Sequence, residues 1–210
     1  MKKFIILLAL LMVGTASFGQ RRKKKKYSFS HAFGGSYIVY SDPDNTTGGI
    51  QDIATTINYT PRFNFYRVPK KDIVASIGTD VELGFNFTSY GGQSYTNFTY
   101  QIPIILSLNF GHAAHPDSKS GFGGFVGAGY NFHSKTIQLS DGTTIINKNT
   151  MFKGIILQGG LRFMMQGRSA TLKFSYTKSK FDTKNWNLGM RGDYKLNIIA
   201  LGISTNIGEY

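Results

Sequence analysis

The sequence predicts an all-β protein, a closed antiparallel up-and-down barrel of eight strands that crosses a membrane. Three observations support this prediction. Apolar and polar residues alternate with a period of two along eight segments, the pattern of strands with one apolar face. The segments run for roughly 13 to 17 residues, whereas ordinary globular strands have a mode of about five or six. Long connections follow the odd-numbered segments and mostly short ones follow the even-numbered segments, as in barrels with tight turns at one end.

The first 19 residues have the pattern of a secretory signal peptide. Two lysines precede an apolar stretch at residues 4–13, and the small residues Ser17 and Gly19 stand before a cleavage point ahead of Gln20. An apolar stretch of this length is too short to cross about 30 Å of hydrocarbon as a helix. We therefore expect residues 1–19 to be removed during export rather than to anchor the chain.

Composition excludes several classes of protein. The 210 residues include no Cys, which excludes disulfide-stapled scaffolds, thiolate metal sites, a Cys nucleophile and a lipid-bearing Cys. The formal net charge is +13, but eight of the 24 Lys and Arg residues lie in the leader and in the run RRKKKK. The other 16 stand against 11 Asp and Glu residues, so the body carries only +5. Residues 20–26 thus form a basic tail, and nothing indicates a nucleic-acid-binding surface.

The eight strand segments follow one another along residues 27–210. The clearest runs from residue 73 to residue 89, where Ile77, Val81 and Phe85 share a face opposite Asp80 and Glu82. The predicted strands cover residues 27–40, 54–67, 73–89, 97–110, 121–134, 151–166, 169–181 and 193–208.

Alternation alone leaves open whether the apolar face points outward, as in a membrane barrel, or inward, as in a lipocalin-like barrel. The polar face is rich in Gly, Ser, Thr and Asn, which can fill the narrow interior of eight strands, whereas the bulky face would overfill it. Aromatic residues also collect near the strand ends, as in the girdles of membrane barrels. They include Phe85, Phe87, Phe98 and Tyr100 towards one rim and Phe110, Phe122 and Phe163 towards the other. Both observations favour an apolar face in contact with lipid.

This pattern resembles the small eight-stranded outer-membrane barrels of Gram-negative bacteria, of the OmpX and OmpA-membrane-domain type. The resemblance covers residues 27–210 and consists of strand pattern rather than a diagnostic motif. It implies an outer-membrane location, periplasmic termini and insertion by the barrel-assembly machinery. Tyr210 looks like the terminal aromatic residue that this machinery recognises, but Ile199 and Leu201 alternate out of phase with it. Either the last strand contains a bulge or its frame is misassigned.

The polar face carries single charges that we expect to lie inside the barrel. Buried ions need partners, so we interpret these residues as a salt-bridge network that plugs the lumen, with a proton or ion path as the alternative. The predicted network comprises Arg62, Asp80, Glu82, Arg162 and Lys173.

A second group of charges falls in or beside the predicted long loops. Basic side chains there could bind the phosphates of lipopolysaccharide, although a solvated loop with scattered charge is the alternative. These residues are Lys135, Lys148, Lys178, Lys180, Lys184 and Arg191.

Signals for catalysis and metal binding are weak. His133 lies beside Ser134 near the long-loop rim, but the sequence places no acidic partner next to them. The segment HAAHPD has spacing that could bind a metal, yet a third firm ligand is not evident. We therefore expect no metal, no cofactor and a non-enzymatic structural, adhesion or complex-accessory role with an outer-membrane protein partner. A lipid A-modifying enzyme centred on His133 and a lateral-opening transporter of small hydrophobic molecules are the alternatives.

Overall fold

The computed structural model describes residues 27–41, 52–68, 71–90, 93–114, 118, 120–140, 145–165, 167–182 and 193–209. Nine strands occupy these residues. They are β1 (Ser28–Ser41), β2 (Asp52–Arg67), β3 (Ile73–Thr79), β4 (Val81–Tyr90), β5 (Gln93–Gly111), β6 (Phe122–Ser140), β7 (Ile145–Met165), β8 (Arg168–Asp182) and β9 (Asp193–Glu209). Strands β3 and β4 are two halves of one barrel strand, separated at Asp80. Among the described residues, no helix is long and apolar enough to cross a membrane.

The strands close into a ring. Strand β1 pairs with β9 on one side and with β2 on the other, and every neighbouring pair is antiparallel. Both β3 and β4 pair with β2 and with β5, and β5 to β9 then follow in chain order. Closure leaves the sheet without an edge, so no row of backbone N–H and C=O groups lies open to lipid. The prediction of an antiparallel up-and-down barrel with eight positions in the ring is confirmed.

The β6–β7 hairpin is longer than predicted. Residues 135–150 were expected to form a loop, but β6 continues to Ser140 and β7 begins at Ile145. Cross-strand pairs continue from Lys135↔Thr150 up to Ser140↔Ile145. The Asp–Gly pair at 141–142, a dipeptide typical of hairpin turns, lies outside the described residues. Lys135 is therefore a strand residue, and the alternation of the strand decides where its side chain points.

The apolar face points away from the lumen, as predicted. On β5, the outward residues Phe98, Ile104 and Phe110 are exposed, while Thr99, Gln101 and Asn109 are buried inside. At about 3.4 Å per residue and a tilt of about 40°, the row from Phe98 to Phe110 covers about 30 Å along the barrel axis. That height matches the hydrocarbon core of a bilayer. The barrel is therefore built to use lipid as its outer solvent.

A bulge in β9 resolves the phase of the last strand. Asn206 pairs with Ala32 and Gly208 pairs with His31, so Ile207 is an extra residue in β9. Without the bulge, Gly208 would point inward like Asn206. With the bulge, Gly208 is opposite the outward residue His31, so the two faces of β9 are exchanged after residue 207. The first of the two explanations given above therefore holds, whereas Tyr210 itself lies outside the described residues.

Candidate functional site

The middle of the lumen contains a buried charge cluster. The ammonium group of Lys173 forms ion pairs with Asp80 and, at 2.9 Å, with Glu82. The Glu82 carboxylate also accepts hydrogen bonds of 3.1 Å from the hydroxyl groups of Ser36 and Thr56. These contacts join β1, β2, β4 and β8 across the barrel. Charges this deeply buried require partners, and these ion pairs and hydrogen bonds supply them from four strands.

Asp80 has further contacts of its own. Its carboxylate accepts hydrogen bonds from the Thr60 hydroxyl at 2.7 Å and from the Gln158 amide at 2.8 Å. Thr60 lies on the neighbouring strand β2, whereas Gln158 and Lys173 lie on β7 and β8. Gly202 on β9 leaves room for Lys173, because a Cβ atom there would come within 3.1 Å of the Cε atom of Lys173. A side chain at position 202 would first meet the Ser36 hydroxyl, 2.6 Å from the Cβ position, and would crowd the end of the lysine.

Arg62 and Arg162 lie together at the short-turn end of the lumen. Each donates a hydrogen bond of 2.8 Å to the Oδ1 atom of Asn109. Each also donates to the carbonyl oxygen of Ala113, at 2.8 Å and 3.4 Å respectively. Ala113 has φ 51°, in the left-handed region, and Ala114 is fully buried. The β5–β6 connection is thus turned inward against the two guanidinium groups.

The five residues predicted for the lumen all have buried side chains, in two layers rather than one. Asp80, Glu82 and Lys173 form the middle layer, and the two arginines form the layer nearer the short turns. Sequence alternation gives the inward direction of these residues but not their relative heights. The heights depend on the stagger between strands, which closure of the barrel sets.

The long-loop end of the lumen contains a feature that the sequence analysis missed. A cluster of apolar side chains fills it, and the largest of them have at most 2% of their surface exposed. Its members are Ile38, Tyr40, Ala54, Phe152, Leu196, Ile198 and Ala200. The sequence analysis did not predict this apolar cluster, which lies beside the buried polar residues Asp52, His133 and Lys135. An apolar core excludes water more completely than a polar one of the same volume.

His133 and Ser134 do not form a catalytic pair. His133 is buried in the lumen, where its ring lies 5.2 Å from that of Tyr40 and its Nε2 atom lies 3.4 Å from the Thr99 hydroxyl. Successive strand residues point to opposite faces, and the Ser134 hydroxyl donates instead to Asn149 at 2.7 Å. A histidine that activates a serine must be within hydrogen-bond reach of its hydroxyl group.

The prediction for Lys135 needs correction. Its ammonium group forms an ion pair with Asp52, and both side chains are less than one-tenth exposed. The ammonium also lies 4.5 Å from the centre of the Tyr40 ring. Lys135 therefore belongs to the lumen rather than to a surface that could meet lipopolysaccharide. The signal was present in the sequence, because Asn131, His133 and Lys135 continue the inward alternation of β6.

Two of the other predicted basic residues lie on the outer wall. Lys178 and Lys180 are exposed on β8, in line with the outward residues Leu172 and Phe174. Lys180 pairs with Lys153 of β7 on one side and with Lys195 of β9 on the other, and both of these lysines are also exposed. The four residues Lys153, Lys178, Lys180 and Lys195 form what we call the lysine row. Lys153 and Lys195 were absent from the prediction.

The remaining candidates are only partly described. Lys148 lies in β7 and pairs with Ile137, whereas Lys184 and Arg191 lie outside the described residues. In the HAAHPD segment, the Nδ1 atom of His112 lies 2.7 Å from the Ser120 carbonyl, and residues 115–117 lie outside the described residues. Within the described ranges, no group of three His, Cys, Asp or Glu side chains could hold a metal ion.

The chain is similar in structure to several solved small barrels. Ail, the attachment invasion locus protein of Yersinia pestis, has a TM-score of 0.45 and 9% identity, with 86% of this chain and 98% of that chain covered. The N-terminal β-barrel domain of Pseudomonas aeruginosa OprF has a TM-score of 0.39 and 12% identity over 87% and 98%. The outer membrane protein AlkL has a TM-score of 0.41 and 18% identity over 91% and 93%.

No protein-family profile and no curated protein match the sequence. Structural likeness at these scores transfers no activity to this chain. The fold assignment rests on the closed ring of strands and on the apolar outer wall described above.

Proposed function

We propose that this protein is a non-enzymatic barrel of the Gram-negative outer membrane, with a plugged lumen and a structural, adhesion or complex-accessory role. The proposal depends on one observation: side chains fill the lumen, and the outer wall of the barrel is apolar. Apolar packing, the Lys173 ion pairs and the inward-turned β5–β6 connection occupy successive heights of the lumen. A barrel filled in this way leaves no continuous water path for ions. Its external surfaces are then the parts that can meet other molecules.

The proposed orientation follows from the connections. Ser30 pairs with Glu209, so both ends of the described chain lie at the short-turn end of the barrel. In outer-membrane barrels the short turns face the periplasm and the longer loops face outward. We therefore propose periplasmic termini, a basic tail at residues 20–26 beneath the membrane, and long loops at the cell surface available to a protein partner. Insertion would depend on the barrel-assembly machinery.

Fractionation of cells expressing the full chain tests the location and the fold. We expect the signal-cleaved protein in the outer-membrane fraction, with faster gel migration when it is unheated than after boiling. Planar bilayers containing the purified protein should show no conductance steps. A detergent-free monomer in the periplasmic extract would refute the membrane assignment, and large conductance steps would refute the plugged lumen.

The lysine row supports lipopolysaccharide as the lipid partner. Lys153, Lys180 and Lys195 are directly opposite one another on strands about 4.8 Å apart. Lys178 lies two residues nearer the apolar band on the same outward row of β8. Below it, the Tyr176 hydroxyl donates to Asn197 at 3.0 Å, as expected for an aromatic residue at an interface. Ammonium groups at this height would meet lipid phosphates, whose charge offsets the repulsion between neighbouring lysines.

Neutralising the lysine row should weaken lipopolysaccharide binding. Each basic residue near an anionic membrane surface contributes about 1 kcal/mol, so we expect the Lys153→Gln, Lys178→Gln, Lys180→Gln and Lys195→Gln variant to bind at least about tenfold more weakly. Native mass spectrometry of barrels titrated with lipopolysaccharide measures this. The matched control replaces the same four residues with Arg, which keeps the charge and should retain binding. Equal binding by the Gln variant and the parent would refute the site.

The enzyme alternative has less support. The separation of His133 from Ser134 removes the pair on which it depended, and the imidazole ring lies in a closed part of the lumen. Release of modified lipid A by the purified protein would reinstate that alternative.

A further inference from the structure

The barrel wall is interrupted at one height, on both sides of Asp80. Strand β3 ends at Thr79 and β4 begins at Val81. On the β2 side, the pairs stop at Arg62↔Gly78 and resume at Tyr59↔Val81. Two residues of β2 and two residues of the β3–β4 strand lie between these pairs. The register is therefore unbroken, and no bulge explains the gap.

The β5 side has a gap at the same height. Its pairs stop at Thr79↔Ile104 and resume at Glu82↔Gln101, again without a change of register. Extending these registers places Pro61 opposite Thr79 and Pro103 opposite Asp80. Proline has no N–H group and is rarely found within a sheet, because it cannot donate to the ladder.

Both prolines turn their nitrogen atoms towards the interruption. The carbonyl oxygen of Pro61 lies next to Gly78 of β3. In an antiparallel ladder the N and O atoms of one residue face the same neighbour, so the Pro61 nitrogen also faces β3. On β5, the carbonyl oxygen of Ile104 faces β6, next to Gly129, so the alternating Pro103 faces β4. Two donors are therefore missing from one part of a wall that lies in lipid, where backbone groups have no water to replace them.

A cavity lies directly behind this part of the wall. Its volume is about 70 Å³, and its lining includes Thr60, Pro61, Thr79, Ile105, Phe125 and Ser169. It has room for more than one water molecule but is smaller than the cavity of about 150 Å³ that accommodates benzene. The hydroxyl oxygen of Ser169 is buried and has no hydrogen-bond partner within the described part of the chain. The cavity thus offers one unpartnered hydroxyl group, in a lining that combines apolar side chains with Arg62, Gln158 and Lys173.

Side chains hold the interrupted wall in place. Asp80, at the centre of the gap, is tied across the lumen to Gln158 at 2.8 Å and to Lys173, and to Thr60 on β2 at 2.7 Å. The part of the wall that lacks two backbone donors is therefore tied across the lumen by side-chain contacts. Weakening those contacts would let the β2 and β5 edges separate from Asp80.

We propose that the wall around Asp80 is a lateral portal, through which small neutral molecules dissolved in the bilayer reach the lumen cavity. The molecules that fit have an apolar body and a carbonyl or hydroxyl group, which can bond to the Ser169 hydroxyl. The portal opens sideways, so the barrel stays closed along its axis. The inference requires the barrel to lie in a membrane but is independent of the lysine row.

The test uses a thiol in the cavity wall. The chain has no native Cys, so a Ser107→Cys variant carries a single reactive group beside the cavity. The barrel is placed in phosphatidylcholine vesicles and treated with neutral methyl methanethiosulfonate or with its charged sulfonatoethyl analogue. We expect the neutral reagent to modify the thiol at least about tenfold faster, because only it can pass through lipid.

Restoring the missing donors should close the portal. A Ser107→Cys barrel that also carries Pro61→Ala and Pro103→Val regains two backbone N–H groups. These groups should slow the reaction of the thiol with the neutral reagent about tenfold. Ile57→Ala with Leu106→Ala, outward changes on the same two strands, should leave the rate unchanged. Gln158→Leu removes one tie to Asp80 and should accelerate the reaction, which provides a second test if the proline variant does not fold.

Two results would overturn the portal. One is an unchanged rate in a folded, heat-modifiable proline variant, together with an unchanged rate in Gln158→Leu. The other is equal reaction with the charged and neutral reagents, which would show entry along the axis. That second result would also contradict the plugged lumen, whereas the first would leave the proposed function intact.

Discussion

Replacing Lys173 with Met is expected to lower the free energy of unfolding by about 3–5 kcal/mol, the range found when one partner of a buried ion pair is removed. The Lys173 side chain is 5% exposed, and its ammonium group contacts both Asp80 and Glu82. Its loss leaves two buried carboxylates without their cation. Urea unfolding of the barrel in detergent micelles, followed by tryptophan fluorescence and by the heat-dependent gel shift, measures the change.

The matched control for this variant is Lys178→Met. Lys178 is on the same strand but on the outward face, where it is exposed, so its replacement should change the stability by less than about 0.5 kcal/mol. Adding Asp80→Asn and Glu82→Gln to Lys173→Met should recover part of the loss, since neutral amides cost less to bury than unpaired carboxylates. Equal stability of the Lys173→Met and Lys178→Met variants would contradict the proposal that the Lys173 ion pairs crosslink the barrel interior.

Removing the central charges should not create a channel. The apolar cluster and the inward-turned β5–β6 connection lie at other heights of the lumen, so they still obstruct the axis. An Asp80→Asn, Glu82→Gln barrel should therefore be destabilised yet remain silent in bilayer recordings. This separates a structural crosslink from an ion path, because neutralising an ion path would change the conductance.

The direction of the side chains could be predicted from the sequence because lipid imposes it. On β5, a strict alternation of Phe98, Tyr100 and Ile102 with Thr99 and Gln101 has only one arrangement that keeps the bulky residues outside a narrow barrel. The same reasoning placed Arg162 and Lys173 inside. The sequence therefore predicts the inward or outward direction of a side chain best where polar and apolar residues alternate strictly on both sides of it.

The composition of the upper lumen could not be predicted in this way. On β9, the apolar residues Leu196 and Ile198 point inward whereas Ile199 and Leu201 point outward, so the apolar face changes side within the strand. The inward residue Ile38 is adjacent to the outward residue Tyr37 in the same manner. Which of these apolar residues meet inside depends on the stagger of the ring, a property of closure that no single segment encodes.

The assignment of Lys135 was wrong for a different reason. Residues 135–150 contain several polar residues and an Asp–Gly pair, which predicted a loop beginning at Lys135. The hairpin in fact continues beyond the predicted boundary, so alternation directs Lys135 into the lumen and Lys153 outward. An error in the strand boundary thus placed one buried lysine at the surface. It does not account for the omission of Lys153 and Lys195, which lie within the predicted strands 151–166 and 193–208.

The apolar cluster supplies the second large effect, which we expect from Phe152→Ala. Phe152 has no exposed surface and packs among side chains from β1, β2 and β9. Truncating a buried Phe typically costs about 3–5 kcal/mol, because the loss of contacts adds to the cost of the cavity that remains. The same urea titration measures it, and the barrel should keep its ring of strands by circular dichroism.

Phe174→Ala is the matched control for Phe152→Ala. Phe174 is the same residue type, but it points outward from β8 and is 52% exposed, so lipid or detergent can fill the space left by its ring. We expect its replacement to cost clearly less than that of Phe152. A solvent-filled lumen would give the reverse order, because water would enter the space left by Phe152 and no packing would be lost. The order of the two variants therefore tests whether the upper lumen is a packed core.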